Sequence, residues 1–170
     1  MTADELKALQ APLKQRYKDD PASAIQTLRA TGEVQNDTIS CRVESWKGAV
    51  DAGLHPATGG DGSWACSAEM LLESLVACAG VTLQAVATAM SIPLRKATVV
   101  AEGDLDFRGT LGVNRDVPVG FRSIALNFQL ESDAPAEQLD KLVQLTERYC
   151  VIYQTLKSPP AIEVRLGLTP

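Results

Sequence analysis

Apolar residues recur along this chain with two different periods, and the periods divide it into elements. Leu6, Leu9, Leu13 and Tyr17 are spaced by 3, 4 and 4 positions, which describes one face of a helix over residues 3–18. Asp4 and Glu5 in the first turn suit the positive end of the helix dipole, and Pro12 predicts a kink or break midway. "DDP" at 19–21 ends the segment, which reads as an N-terminal helical extension over 1–22, ahead of a main domain over 23–170. Between Ala24 and Ser45 the period changes to two. "TGEVQ" and "TISCRVES" flank Asn36-Asp37 and predict two strands around a turn, with Ile39, Cys41 and Val43 on one face. Cys41 on that face reads as a buried structural thiol.

The clearest helical signal runs from Ser67 to Met90. Ser67 stands in the N-cap position, Glu69 falls in the first turn, and "SIP" at 91–93 stops the run. At about 100° per residue, Leu71, Leu75, Cys78, Thr82, Ala85 and Ala89 line one face. Leu72, Val76, Ala79, Val86 and Met90 widen it. "ATVVAEGDLDF" (97–107) predicts a strand, a polar loop follows, and "FRSIALNFQLES" (121–132) alternates as a second strand. Pro135 opens another helix, with Leu139, Leu142, Val143, Thr146 and Tyr149 on a face. "AIEVRLGL" (161–168) predicts a last strand. The order α, β, β, α, β, β, α, β clusters strands around two helices and predicts an α+β fold.

Composition narrows the function classes. With 170 residues the chain can bury a core without disulfides or metals. The net charge of −5, with no dense Lys/Arg cluster, excludes the electrostatic footprint of a nucleic-acid binder. The N-terminus is polar and mixed in charge, without the apolar run of a targeting signal. Glu73, Ser74, Thr82 and Gln84 interrupt the apolar stretch 70–90, so it reads as a buried helix and not as a membrane span. The expectation is a cytoplasmic protein with no membrane or nucleic-acid partner and with reduced thiols. Its four cysteines, Cys41, Cys66, Cys78 and Cys150, are separated by 25, 12 and 72 positions. No C-x-x-C pair occurs and His55 is the only histidine, so no metal site is expected. The glycine-rich "HPATGGDGSWACS" (55–67) lacks the Lys-Ser/Thr of a phosphate loop. It is either a long connection or the wall of a site. The cysteines are core residues or redox residues.

Two segments carry a resemblance. "SAEMLLESLVACAGVTLQAVA" resembles the central helix of the OsmC/Ohr family of organic hydroperoxide reductases, and "TERYCVIYQTLKSPPAIEVRL" resembles that family's second cysteine segment. "DFRGTLGVNRDVPVGFRSIALNF" is similar to the middle hairpin of an OsmC-like subgroup, and the likeness spans roughly residues 30–168. It implies an α+β, OsmC-like fold, an antiparallel-rich sheet with a long central helix, in an intertwined homodimer. It also implies a thiol-dependent peroxidase without metal or organic cofactor. Cys78 then matches the peroxidatic cysteine, which attacks a hydroperoxide and becomes a sulfenic acid, and Cys150 matches the resolving cysteine. A dithiol reductant restores both. The family's glutamate, ten positions before the first cysteine, falls at Ala68, which leaves Glu69 as the candidate acid. No arginine stands at the family's place about twenty residues before Cys78. His55, Arg29, Arg42, Arg108, Arg115 and Arg122 are the candidate cations. A helix starting at Val151 would place Cys150 at its N-terminus, where partial positive charge favours a thiolate. The alternative function is a non-enzymatic, small-molecule-binding or redox-sensing dimer of the same fold.

Overall fold

In the computed structural model, residues 1–45 and 47–167 are described. Helix α1 (Ala3–Asp19) is closed at its start by a capping box, in which Thr2 accepts from the Glu5 N–H while the Glu5 carboxylate accepts from the Thr2 N–H. It runs through Pro12 as one helix, so the expected break does not form. Strands β1 (Thr31–Val34), β2 (Ser40–Ser45) and β3 (Gly48–Gly53) form an antiparallel meander, and the two-residue β4 (Ala65–Cys66) joins β3 in parallel. The expected pair of strands is present as β1 and β2. Strand β3 was not expected: "GAVDAG" has little β-propensity, and its ladder with β2, Val43 opposite Val50, supplies what the residues lack.

Helix α2 (Ser67–Ala89) is the centre of the fold. Cys66, not Ser67, is its N-cap, and Ser67 is the first helical residue. Its fully buried positions are Leu75, Ala79, Leu83 and Ala87, spaced by four. This stripe shares Leu75 and Ala79 with the expected face but runs on through Leu83 and Ala87, while Leu71 is left exposed. The stripe is covered by the antiparallel pair β5 (Lys96–Asp104) and β6 (Ser123–Glu131), and by α4 (Ala136–Tyr149) and α5 (Val151–Lys157). A four-residue helix, α3 (Phe107–Thr110), sits in the loop between β5 and β6. On β6, burial alternates residue by residue, placing Ile124, Leu126, Phe128 and Leu130 over α2.

Two buried clusters result. Leu83, Ala87, Ile92 and Leu142 form one, and Leu75, Ala79 and Cys150 form the other. By length and composition α2 could cross a membrane. Here it packs on β5, α4 and α5. The last expected strand is absent among the described residues: 159–167 join neither sheet, and Ile162, Val164 and Leu166 are almost fully exposed. Alternation marks which side chains share a face, but a strand also needs a free edge beside it. Leu168 lies outside the described residues.

Candidate active site

Helix α4 ends at Cys150, whose extended backbone (φ −72°, ψ 110°) also starts α5, so one residue is both C-cap and N-cap. The Cys150 N–H donates to the Thr146 carbonyl at 2.9 Å, closing α4, and the Gln154 N–H donates to the Cys150 carbonyl at 3.0 Å, opening α5. Two side chains hold the bend. The Tyr153 hydroxyl donates to Glu147 at 3.1 Å, and the Gln154 amide donates to the Glu147 carbonyl at 2.7 Å. The first turn of α5 is thereby aimed at the middle of α2, where Cys78 stands.

Cys78 and Cys150 meet there. Cys150 is fully buried against Leu75 and Ala79, with half-buried Cys78 packed on the same cluster. The Cys150 sulfur accepts from the Tyr153 N–H at 3.5 Å. Both cysteines are free thiols, as are Cys41 and Cys66. The two thiols differ electrostatically. Burial pushes Cys78 upward, but hydrogen bonds from the Ile152 N–H, the Cys150 thiol, the Val151 N–H and the Thr82 hydroxyl hold it below the ordinary thiol value. Burial pushes Cys150 up, its contact with Cys78 pushes it further, and the N–H groups of Tyr153 and Ile152 do not compensate. The start of α5 therefore favours a thiolate on Cys78 and not on its own N-cap Cys150. Thr82 stands one helical turn along the same face, with its hydroxyl 2.8 Å from the Cys78 carbonyl and within reach of the sulfur, so its one proton serves the carbonyl in the resting thiol and can turn to the sulfur when the thiolate forms.

Of the expected charged helpers, Glu69, Arg42, Arg108 and His55 are engaged or placed away from the pair. Glu69 is exposed in the first turn of α2 and forms no hydrogen bond or ion pair among the described residues. Nine residues separate it from Cys78, which on a helix is about half a turn out of phase. Ala68 is half-buried at the same end of α2. Arg42 pairs with Asp51 at 3.1 Å, and Arg108 pairs with Asp106 at 2.6 Å, holding that carboxyl down to about 2. His55 lines a cavity at the first turn of α2 and not the cysteine pair. No charged side chain stands among the groups that set the Cys78 thiol. Arg122, Glu147 and Lys157 line a cleft of about 550 Å³ together with Leu75, Leu126, Phe128 and Tyr153; Leu75 and Tyr153 connect it to the cysteine cluster, although neither cysteine lines it. The backbone donors of Val151 and Ile152 are the groups that reading side chains could not supply. The hint was positional: a cysteine immediately before a helix. Among the described residues no cluster of three His, Cys, Asp or Glu side chains could hold a metal ion.

An α+β fold with one long helix carrying a thiol, and a second thiol at a helix junction against it, defines a class of cysteine-paired proteins. The profile of the OsmC family (OsmC-like protein) matches residues 60–165, more than half of the chain, and the chain belongs to that family. Solved structures agree on the fold. The OsmC-like protein of Mycoplasma pneumoniae is 19% identical, with a TM-score of 0.66 over 79% of this chain and 89% of its own. An organic hydroperoxide resistance protein OsmC from Legionella pneumophila is 18% identical, with a TM-score of 0.62 over 79% and 91%. The organic hydroperoxide resistance protein OhrB of Bacillus subtilis is 17% identical, with a TM-score of 0.53 over 79% and 93%. No curated protein matches the chain.

Proposed function

We propose that this protein is a thiol peroxidase that reduces organic hydroperoxides through Cys78 and Cys150. The observation that carries the reading is the meeting of these two thiols, 72 positions apart, at the start of α5, with opposite shifts. The Cys78 thiolate attacks the distal oxygen of the hydroperoxide. The O–O bond breaks, Cys78 becomes a sulfenic acid, and the other oxygen takes a proton and leaves as the alcohol. Cys150, held as a thiol, then condenses with the sulfenic acid, forming the disulfide and releasing water. A dithiol reductant exchanges with the disulfide and returns both thiols. Val151, Ile152 and Thr82 take the place of a charged activator by donating to the thiolate. The cleft that Leu75 and Tyr153 share with the cysteine cluster has apolar and charged lining residues, which suits the organic part of a peroxide. Cys78→Ser should abolish dithiol-dependent consumption of cumene hydroperoxide. Full turnover by that variant would sink the assignment.

The working unit is a homodimer. The chain exposes 12905 Å², against about 8,100 Å² for a compact protein of its mass. The excess, roughly 4,800 Å² for each chain, is larger than one partner's share of an ordinary obligate interface and is what extended segments leave open for an intertwined second copy to cover. Val34, Ile39, Val81, Ile162, Val164 and Leu166 are among the apolar side chains left exposed, and a second copy would cover them.

A further inference from the structure

We infer that Gln154 and the Glu147–Tyr153 pair are positioning residues for Cys78: they hold the chain broken between α4 and α5, so that two backbone N–H groups serve the thiol and not the end of α4. Had α4 run on through Cys150 as a regular helix, the Val151 N–H would donate to the Glu147 carbonyl and the Ile152 N–H to the Arg148 carbonyl. The backbone at Cys150 is extended (φ −72°, ψ 110°), and that single residue takes both N–H groups out of the α4 ladder. They donate to Cys78 instead. The inference rests on the peroxidase reading only for the use to which the thiolate is put.

An unbroken helix is the competing arrangement, and three contacts oppose it. The Gln154 amide donates to the Glu147 carbonyl at 2.7 Å and so occupies the acceptor that the Val151 N–H would otherwise take. The Tyr153 hydroxyl donates to the Glu147 carboxylate at 3.1 Å and ties the first turn of α5 back across the bend. On the inner side, Ile152 and Tyr153 pack on the cluster of Leu75, Ala79 and Cys150 that also receives Cys78. The Gln154 contact is exposed and the Tyr153 contact only partly buried, so removing either one disturbs the aim of α5 and leaves the core intact. The charged groups around the junction are Glu147 and Arg148 on α4, Lys157 on α5 and Arg122 across the cleft. Arg148 lies over the Tyr149 ring and the Lys157 ammonium lies 5.5 Å from the Tyr153 ring centroid.

The test is iodoacetamide alkylation of the intact reduced protein across a pH series, followed at the Cys78 peptide, with the Cys41 peptide as internal reference. It consumes no peroxide, so its outcome does not depend on turnover; the peroxidase reading fails separately, by full turnover in Cys78→Ser. Gln154→Ala and Tyr153→Phe should each raise the Cys78 inflection by about half a pH unit, the equivalent of one modest hydrogen bond, and leave that of Cys41 in place. Glu147→Ala should raise it by a similar amount although it removes a negative charge. Glu147→Gln keeps an acceptor for the Tyr153 hydroxyl and should not raise it. Tyr153→Phe and Glu147→Gln are nearly isosteric, which keeps the comparison within folded protein. An inflection left in place by Gln154→Ala or by Tyr153→Phe would overturn the inference, as would one raised equally by Glu147→Gln and Glu147→Ala. An inflection lowered by both Glu147 variants would also overturn it, because a carboxylate acting on Cys78 by charge alone predicts that direction.

Discussion

At the scale of single residues, the two thiols are unequal because one helix start serves both. Val151 and Ile152 point their N–H groups at Cys78, while Cys150 is buried among Leu75 and Ala79. Since the Cys78 value is lowered, its thiolate fills at a lower pH than that of an ordinary thiol and is lost as pH falls through that lowered value. The raised Cys150 value keeps it a thiol to higher pH. Iodoacetamide alkylation, followed peptide by peptide, should therefore show its inflection for Cys78 at lower pH than for Cys150. The reverse order would contradict the assignment of attacking and resolving roles. Thr82→Val should move the Cys78 inflection upward, and Thr82→Ser should keep it low, because the hydroxyl is one of the groups that hold the thiol down. A bare packing role for Thr82 would leave the inflection in place in both variants. Much of this was visible in the chain. The periodicity places Cys78 and Thr82 on one face, and the resemblance of the second segment implies a short helix opening at Cys150. The direction of the field was not visible, because backbone N–H groups have no letter in a sequence and their target is fixed only by packing. Glu69, by contrast, was legible as a first-turn acid, and that is where the structure leaves it.

At the scale of elements, α2 is held by a narrow line of contacts. Leu75 and Leu83 are the two large buried side chains on it, and Leu142 answers from α4. Leu83→Ala should lower the unfolding free energy in urea by about 3 kcal/mol, the usual cost of removing a buried leucine. It should leave the Cys78 alkylation inflection unchanged, since Leu83 belongs to the cluster without the cysteines. Loss of both together would mean that the two clusters are one cooperative unit. Helix ends and the alternating β6 could be read from the residues because capping, proline stops and period-two patterning are local effects. Strand β3 and the absent last strand could not, because pairing is decided by the neighbour. "GAVDAG" forms a strand beside β2 despite its glycines, and "AIEVRLG" alternates well yet finds no edge within its own chain.

At the scale of the whole molecule, the exposed apolar side chains argue for two copies. Sedimentation equilibrium at micromolar concentration should give twice the 18.2 kDa chain mass. Ile162→Asp combined with Val164→Asp should move the population toward monomer, because both side chains are free in the single chain and costly to bury once charged. A dimer indifferent to that pair of changes would place the interface away from the C-terminal segment. The central claim, that Cys78 and Cys150 work as a redox pair, is tested most directly by disulfide mapping. The reduced protein is treated with one equivalent of cumene hydroperoxide, the remaining thiols are blocked, and the peptides are identified by mass spectrometry. The account predicts a Cys78–Cys150 disulfide, with Cys41 and Cys66 recovered as thiols. Recovery of Cys78 and Cys150 as unmodified thiols, or a disulfide joining Cys41 or Cys66 instead, would contradict it.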